Sequence, residues 1–446
     1  MRRHVLTLLL LGATLTGMVF LHAFQRERGF DRLVAEGDAA LAQGDLAGAI
    51  EAFSGAVTLK PDAMVAYLKR GDAYRRRGEA DLGLALRDLR RASVLDPTAA
   101  GPLEGLGDVY LARVQPGRAV DSYRSALAVD ERSARVQYKL ALALYESDRL
   151  DEAQRTLATT LQLDPRLAEA HYLRGLCYSR RHQWQDAHRS LQQALALTPS
   201  LIPAREEMSA VCRALGRQTE ELSHLEALLA LDPTRVEQYL GMGAAYARAG
   251  QTDRAISTLS QAATRFPEDS RVYVTLGRVW LEQAIANGDR VALSKGLEAW
   301  QQAGGLADED SAMLTLIGSA YLRMREPRRA LRYFDQATQV LPVDPSAHRQ
   351  LAETAERLGL WSAAYDAQRK ANVLAADSDT PPGRARLIKL GDLSLKMGDA
   401  SAAHDWYQRA RTSGASDAQL GSRLASATQA ISKDQRLQDQ QDQQDR

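Results

Sequence analysis

From Phe30 onward, apolar and small residues recur on two scales. Over short stretches they fall three or four residues apart, as in Tyr239, Met242, Gly243 and Tyr246, and again in Ala255, Leu259 and Ala262. That spacing lines up one face of an α-helix. Over the whole chain the same set returns every 34 residues. Its first copy reads Gly37, Gly44, Ala49, Phe53, Ala56 and Pro61; its ninth reads Gly318, Tyr321, Ala330, Phe334, Ala337 and Pro342. Numbered from 1 to 34 within each copy, the recurrent positions are 8, 11, 15, 20, 24, 27 and 32. Each copy predicts two short helices, A and B, with a turn near position 15. Position 8 is mostly Gly and position 20 mostly Ala, so the helices can approach closely, while a large residue at position 24 fills the space between them. Proline at position 32 ends helix B, because it lacks an N–H and clashes with the preceding turn. The aspartates before it (Asp96, Asp164, Asp232) suit a turn and can cap the next helix. One hairpin cannot bury both its apolar faces, so neighbours must stack.

The copies are uneven. The second carries extra residues before Ala85, and the eighth carries more around Asn287-Gly288-Asp289. The sixth is the least regular, with Ser209, Cys212 and Glu221 at positions 8, 11 and 20. Even so, the repeat fills nearly all of the chain after its first 29 residues and resembles the tetratricopeptide repeat (TPR). The resemblance implies an all-α, right-handed α-solenoid of about eleven hairpins. We expect ten repeats over 30–376, a breaker or hinge at 377–383 containing Pro381-Pro382, an eleventh repeat over 384–417 and a capping helix over 418–436. The Gln- and Asp-rich run 437–446 is expected to be a disordered tail.

Ahead of the repeats lies a different pattern. Residues 1–4 form a short basic N-terminus, and Val5 to Phe24 is an uncharged run followed by Arg26, Glu27, Arg28, Asp31 and Arg32. At 1.5 Å per residue such a run spans about 30 Å, the thickness of a bilayer core. It predicts a transmembrane helix over 5–24; a cleaved signal segment is the alternative, although His22-Ala23-Phe24 makes a poor cleavage site. The leading charges place the N-terminus in the cytoplasm and the repeats across the membrane, in the periplasm of a Gram-negative cell. Cleavage would leave a periplasmic or secreted protein.

Composition narrows the function. The 446 residues carry a net charge of +1, which gives no reason to expect nucleic acid as a partner. The two cysteines, Cys177 and Cys212, fall at neighbouring positions of adjacent repeats and are expected to be buried thiols rather than a disulfide. No catalytic constellation is present: GxxxxGK[ST], GxSxG and HExxH are all missing. Gly241 and Gly243 open a GxG inside a helix A, and His182 and His188, six residues apart, do not form a metal pair on one helix face. Both histidines are expected on the surface. We therefore expect no enzyme, no cofactor and no metal.

What remains is the inner wall, which in proteins with this repeat is lined by helix A at positions 2, 5, 9, 12 and 13. Some relatives clamp a C-terminal carboxylate using Asn at position 9; here Asp38, Asp72 and Asp108 stand there, which argues against such a clamp. Tyr138, Tyr145 and Tyr172, followed by Arg180, Arg213 and Arg248, are residue types enriched at binding hot spots. They are the candidate site for an extended or helical partner segment with acidic and apolar side chains. The expected function is a membrane-tethered scaffold or assembly cofactor that binds proteins or peptides. A recruitment subunit for an envelope enzyme or export complex (secretion, pilus, polysaccharide or cytochrome maturation) is the alternative, and end-to-end self-association is a further possibility.

Overall fold

The computed structural model describes residues 2–304, 310–375, 383–413 and 418–444, except the side chains of 2–17, 19–20, 418, 439 and 442–444. These residues form 23 α-helices and one 3-10 turn, with no strand among them. The chain divides into two compact units, Met1–His224 and Leu225–Arg446, and the division falls within the helix Gln218–Leu231.

In the first unit, the C-terminal part of the helix Arg2–Ala42 pairs with Leu46–Leu59. The following pairs are Met64–Arg77 with Leu82–Leu95, Ala100–Ala112 with Pro116–Val129, Ala134–Glu146 with Leu150–Leu163, and Ala168–Arg180 with Trp184–Leu197, before Ile202–Ala214. In the second unit, Val236–Arg248 pairs with Thr252–Arg265, Ser270–Asn287 with Arg290–Gln302, and Ser311–Arg323 with Pro327–Val340. Pro345–Arg357 then pairs with Trp361–Leu374 and Arg384–Lys396 with Ala400–Thr412, and Ala418–Gln444 packs on the last helix B. Within each unit, every helix B also packs on the next helix A, so the hairpins stack in chain order as an all-helical solenoid.

The close approach at position 8 is matched to the residue at position 24. A methyl group at Gly37, Gly107 or Gly391 would lie 2.4 Å from the ring of Phe53, Tyr123 or Tyr407, and one at Gly318 would lie 2.7 Å from Phe334. All four rings are fully buried. Where Leu stands at position 24, as in Leu191 and Leu259, the gap above Gly175 or Gly243 is only slightly wider. Where position 8 is Ala141 or Ala352, position 24 holds Leu157 or Gln368 and never a ring. Small and large residues are thus chosen together to keep the core at close packing.

Position 15 is the other backbone requirement. Gly44, Gly250 and Gly398 sit there at φ of 79°, 71° and 85°, the left-handed conformation that ends helix A. Val114 takes the same conformation at φ 55°, strained for a β-branched residue.

Three expectations change, and the place of the extra residues in the eighth hairpin becomes visible. Asp96, Asp164 and Asp232 do not cap the next helix: each accepts the backbone N–H two residues on, from Thr98, Arg166 and Thr234, folding the turn about the intervening proline. The N-caps that follow are Ala99, Leu167 and Arg235, without side-chain caps. The extra residues of the eighth hairpin lengthen its helix A to Asn287, with Gly288 at φ 69° closing it and Asp289 capping the next helix. The Gln- and Asp-rich tail is helical as far as Gln444, because Gln is a good helix former and the run simply continues the last helix. His188, expected at the surface, is engaged by the next hairpin. The hinge expected at 377–383 lies outside the described residues apart from Gly383, which precedes the helix Arg384–Lys396.

The backbone of 5–24 belongs to the single helix Arg2–Ala42, but most of its side chains lie outside the described residues. Among the described residues no helix is long and apolar enough to cross a membrane. Cys177 and Cys212 are free and buried. Burial pushes both thiols up to about 11, Glu220 adding to the effect at Cys212.

Candidate partner-binding groove

In the first unit, successive A helices touch one another: Met64–Arg77 meets Ala100–Ala112, and Ala134–Glu146 meets Ala168–Arg180. One wall is therefore built from helix A. Along its first four hairpins runs a groove of about 570 Å³, with Leu41, Leu68 and Leu89 among its lining residues and Gly101 and Gly105 packed closely against Leu68 and Leu89. Its sides are charged and paired across hairpins. Lys69 donates to Asp38 at 2.6 Å. Lys139 donates to Glu104 at 2.7 Å and to both oxygens of Asp108 at 2.8 Å. Within its own helix, Arg76 reaches Asp72 at 2.7 Å. The aspartates at position 9 thus hold cations of their own stack. A carboxylate clamp is therefore not built here, and a bound segment would have to compete with these pairs through charges of both signs.

Asp108 has a further partner, because the Tyr123 hydroxyl donates to it at 2.7 Å. Burial first, and Asp108 second, push that phenol well above the usual range for tyrosine. The last hairpin repeats the device: Tyr407 donates to Asp392 at 2.7 Å. The Gly-Asp pairs at positions 8 and 9 therefore do more than supply a small residue. When position 24 is Tyr, the aspartate receives its hydroxyl.

The tyrosine and arginine residues singled out from the sequence are partly brought together. Tyr138 and Tyr145 are half-buried against the first core, and Tyr172 is half-buried against the next. Burial, then the carboxylates Glu207 and Glu206 with Tyr145 and Tyr138, raises Tyr172 to about 12. Burial and then Glu169 raise Tyr138. The Arg180 guanidinium lies over the Tyr145 ring, 4.2 Å from its centre, and 3.6 Å from Asp148. Arg213 donates from Nε to the buried Glu221 at 2.8 Å. Arg248 belongs to the second unit, exposed at the end of Val236–Arg248. Arg180 and Arg213 are thus already matched by carboxylates, and the tyrosines face acidic side chains. The patch is less basic than its composition suggests.

Lys69, Lys139 and Glu104, the partners or neighbours of the position-9 aspartates, were missed in the sequence. Their signal is an acid followed by a lysine 31 residues later, in Asp38 to Lys69 and again in Asp108 to Lys139. The same blind spot hid a metal-competent group. His188 Nε2, Cys212 Sγ and a Glu220 carboxylate oxygen all lie within 4.8 Å of one another, although each comes from a different helix.

Family models described as tetratricopeptide repeat match residues 34–100, 110–177 and 182–379, most of the chain. Over 103 residues the chain is 35% identical to the type IV pilus assembly protein PilF of Pseudomonas aeruginosa, covering 23% of this chain. The match spans 40% of the length of that curated relative. A solved structure of Pseudomonas aeruginosa pilF is similar at 23% identity, covering 48% of this chain and 96% of the other, with a TM-score of 0.41. A solved MamA protein is similar at 25% identity, covering 39% of this chain and 94% of the other, with a TM-score of 0.35.

Proposed function

Because the chain belongs to the tetratricopeptide repeat family, we propose that it is a non-enzymatic scaffold that holds a segment of a partner protein along the helix-A wall of its first unit. The observation that carries this reading is the open groove between Asp38 and Lys139, with apolar side chains below and charges of both signs at its sides. Such a surface suits an extended segment with alternating apolar and charged residues: the apolar ones displace water from the floor, and the charged ones exchange with pairs such as Lys69–Asp38. Tyr145 and Tyr172 extend the same wall with large side chains that lose little entropy on binding, and Arg180 lies over the Tyr145 ring.

We further propose that residues 5–24 anchor the scaffold in a membrane, with the repeats on the far side from the N-terminus. The support is the uncharged length of that run and the basic residues before it. The full chain is expected to remain in the membrane pellet after alkaline carbonate, and a chain lacking 5–24 is expected to be released. Release of both would contradict the anchor. The likeness to a pilus assembly protein favours, as a second reading, a recruiting role in assembling an envelope structure.

Lys69→Glu/Tyr172→Ala/Arg180→Glu alters the proposed wall, whereas Arg155→Glu/Arg189→Glu alters exposed positions on B helices. Quantitative crosslinking in cells is expected to lose the partner signal about tenfold or more in the first variant and to keep it in the second. Equal recovery from both would overturn the assignment of the groove.

A further inference from the structure

We propose that His188, Cys212 and Glu220 form a binding site for a divalent transition metal of the zinc class, clamping the fifth hairpin to the sixth. His188 Nε2 lies 2.8 Å from Glu220 Oε2, and Cys212 Sγ lies 3.8 Å from the same oxygen. An ion bound tetrahedrally to N, S and O donors holds them about 3.3–3.8 Å apart, so closure needs small side-chain adjustments only. The three donors come from three helices, Trp184–Leu197, Ile202–Ala214 and Gln218–Leu231, whose backbones fix the site in advance. An imidazole, a thiolate and a carboxylate are a donor set suited to zinc, and together they neutralise the ion.

Two further observations bear on the site. His224 follows Glu220 by one helical turn on the same helix face, and its buried Nδ1 has no hydrogen-bond partner. It offers a second imidazole beside the cluster. The Arg217 guanidinium lies 3.1 Å from His188 Nε2 and 3.4 Å from Glu220 Oε2, and a second nitrogen reaches Gln185 at 3.2 Å. A cation already stands against these donors. Metal binding displaces it toward Gln185, and the Cys212 thiol gives up its proton to solvent as the metal–sulfur bond forms. The location also makes physical sense. The sixth hairpin has Ser209 and Glu221 where most others have Gly and Ala, so its sequence is the least regular, and a metal tie would compensate.

The test uses the untagged full chain in detergent, stripped with a chelator and titrated with Co²⁺. One equivalent is expected to bind, with a near-ultraviolet thiolate-to-cobalt band and the visible bands of a tetrahedral ion, and Zn²⁺ should displace it. Cys212→Ser should abolish the near-ultraviolet band, His188→Ala should weaken binding about tenfold or more, and Cys177→Ser should change neither. Arg217→Ala, which leaves the core untouched, should tighten binding by removing the competing cation. Zn²⁺ should raise the melting temperature of the wild type but not of Cys212→Ser. No thiolate band in the wild type, a band that survives Cys212→Ser, or no tightening in Arg217→Ala would overturn the site.

Discussion

Gly107→Val is expected to destabilise the first unit by about 3 kcal/mol or more. The first added carbon alone would sit 2.4 Å from Cε1 and 2.6 Å from Cδ1 of Tyr123. That ring cannot withdraw. It is fully buried, and its hydroxyl is tied to Asp108. Helices Ala100–Ala112 and Pro116–Val129 must therefore separate, breaking the packing of Leu106, Val109, Ala119 and Val120 as well. Helix propensity works the other way, since Val is a better helix former than Gly, so a loss of stability can only come from the contact. Gly421→Ala provides the contrast: nothing lies within 4 Å of an added methyl there, and a gain of about 0.5–1 kcal/mol is expected. Urea denaturation of the full chain distinguishes the two, and a neutral Gly107→Val would mean that the hairpin does not close at that position.

The second large effect is expected at Arg70. Its guanidinium grips Asp88 with two hydrogen bonds, from Nε at 2.6 Å and from a terminal nitrogen at 3.1 Å. Asp88 is 1% exposed, and its other cation, Arg87, stands 3.6 Å away and is largely in solvent. Arg70→Met keeps the length of the aliphatic stem but leaves a carboxylate buried without its main partner. The expected cost is about 3 kcal/mol, the usual penalty for orphaning one half of a buried pair. Arg70→Met/Asp88→Leu removes the orphan and should recover stability to within about 1 kcal/mol of the wild type. A double variant no more stable than the single one would show that the pair is not the source of the loss.

The hairpins were legible in the sequence because their causes are local and repeated. Glycine at 8, alanine at 20, a large residue at 24 and proline at 32 each mark one event in most copies, so an irregular copy is corrected by its neighbours. Contacts between hairpins were not legible in the same way. Lys69 with Asp38, Lys139 with Glu104, and His188 with Cys212 and Glu220 depend on which turn of one helix faces which turn of the next. Reading histidines along a single helix could not reveal a group assembled from three. The partners of the arginines were hidden for a related reason: the arginines were visible, whereas the carboxylates that meet Arg180 and Arg213, Asp148 and Glu221, lie on neighbouring helices and loops. The aspartates before proline show the limit of motif reading, since the same side chain can cap a helix or close a turn, and here the turn takes it.

The pairing of a small residue at position 8 with a large one at position 24 underlies the whole stack and the wall it presents. A double-mutant cycle on Gly107→Ala and Tyr123→Leu tests that pairing most directly, since the fourth hairpin already uses Ala141 with Leu157. Each single change is expected to lower stability by about 2 kcal/mol or more, the first by overpacking and the second by leaving a void. Together they should cost less than their sum by about 1–2 kcal/mol, because each relieves the other. Strict additivity would mean that the two positions do not meet, and the account of how these hairpins close would be wrong.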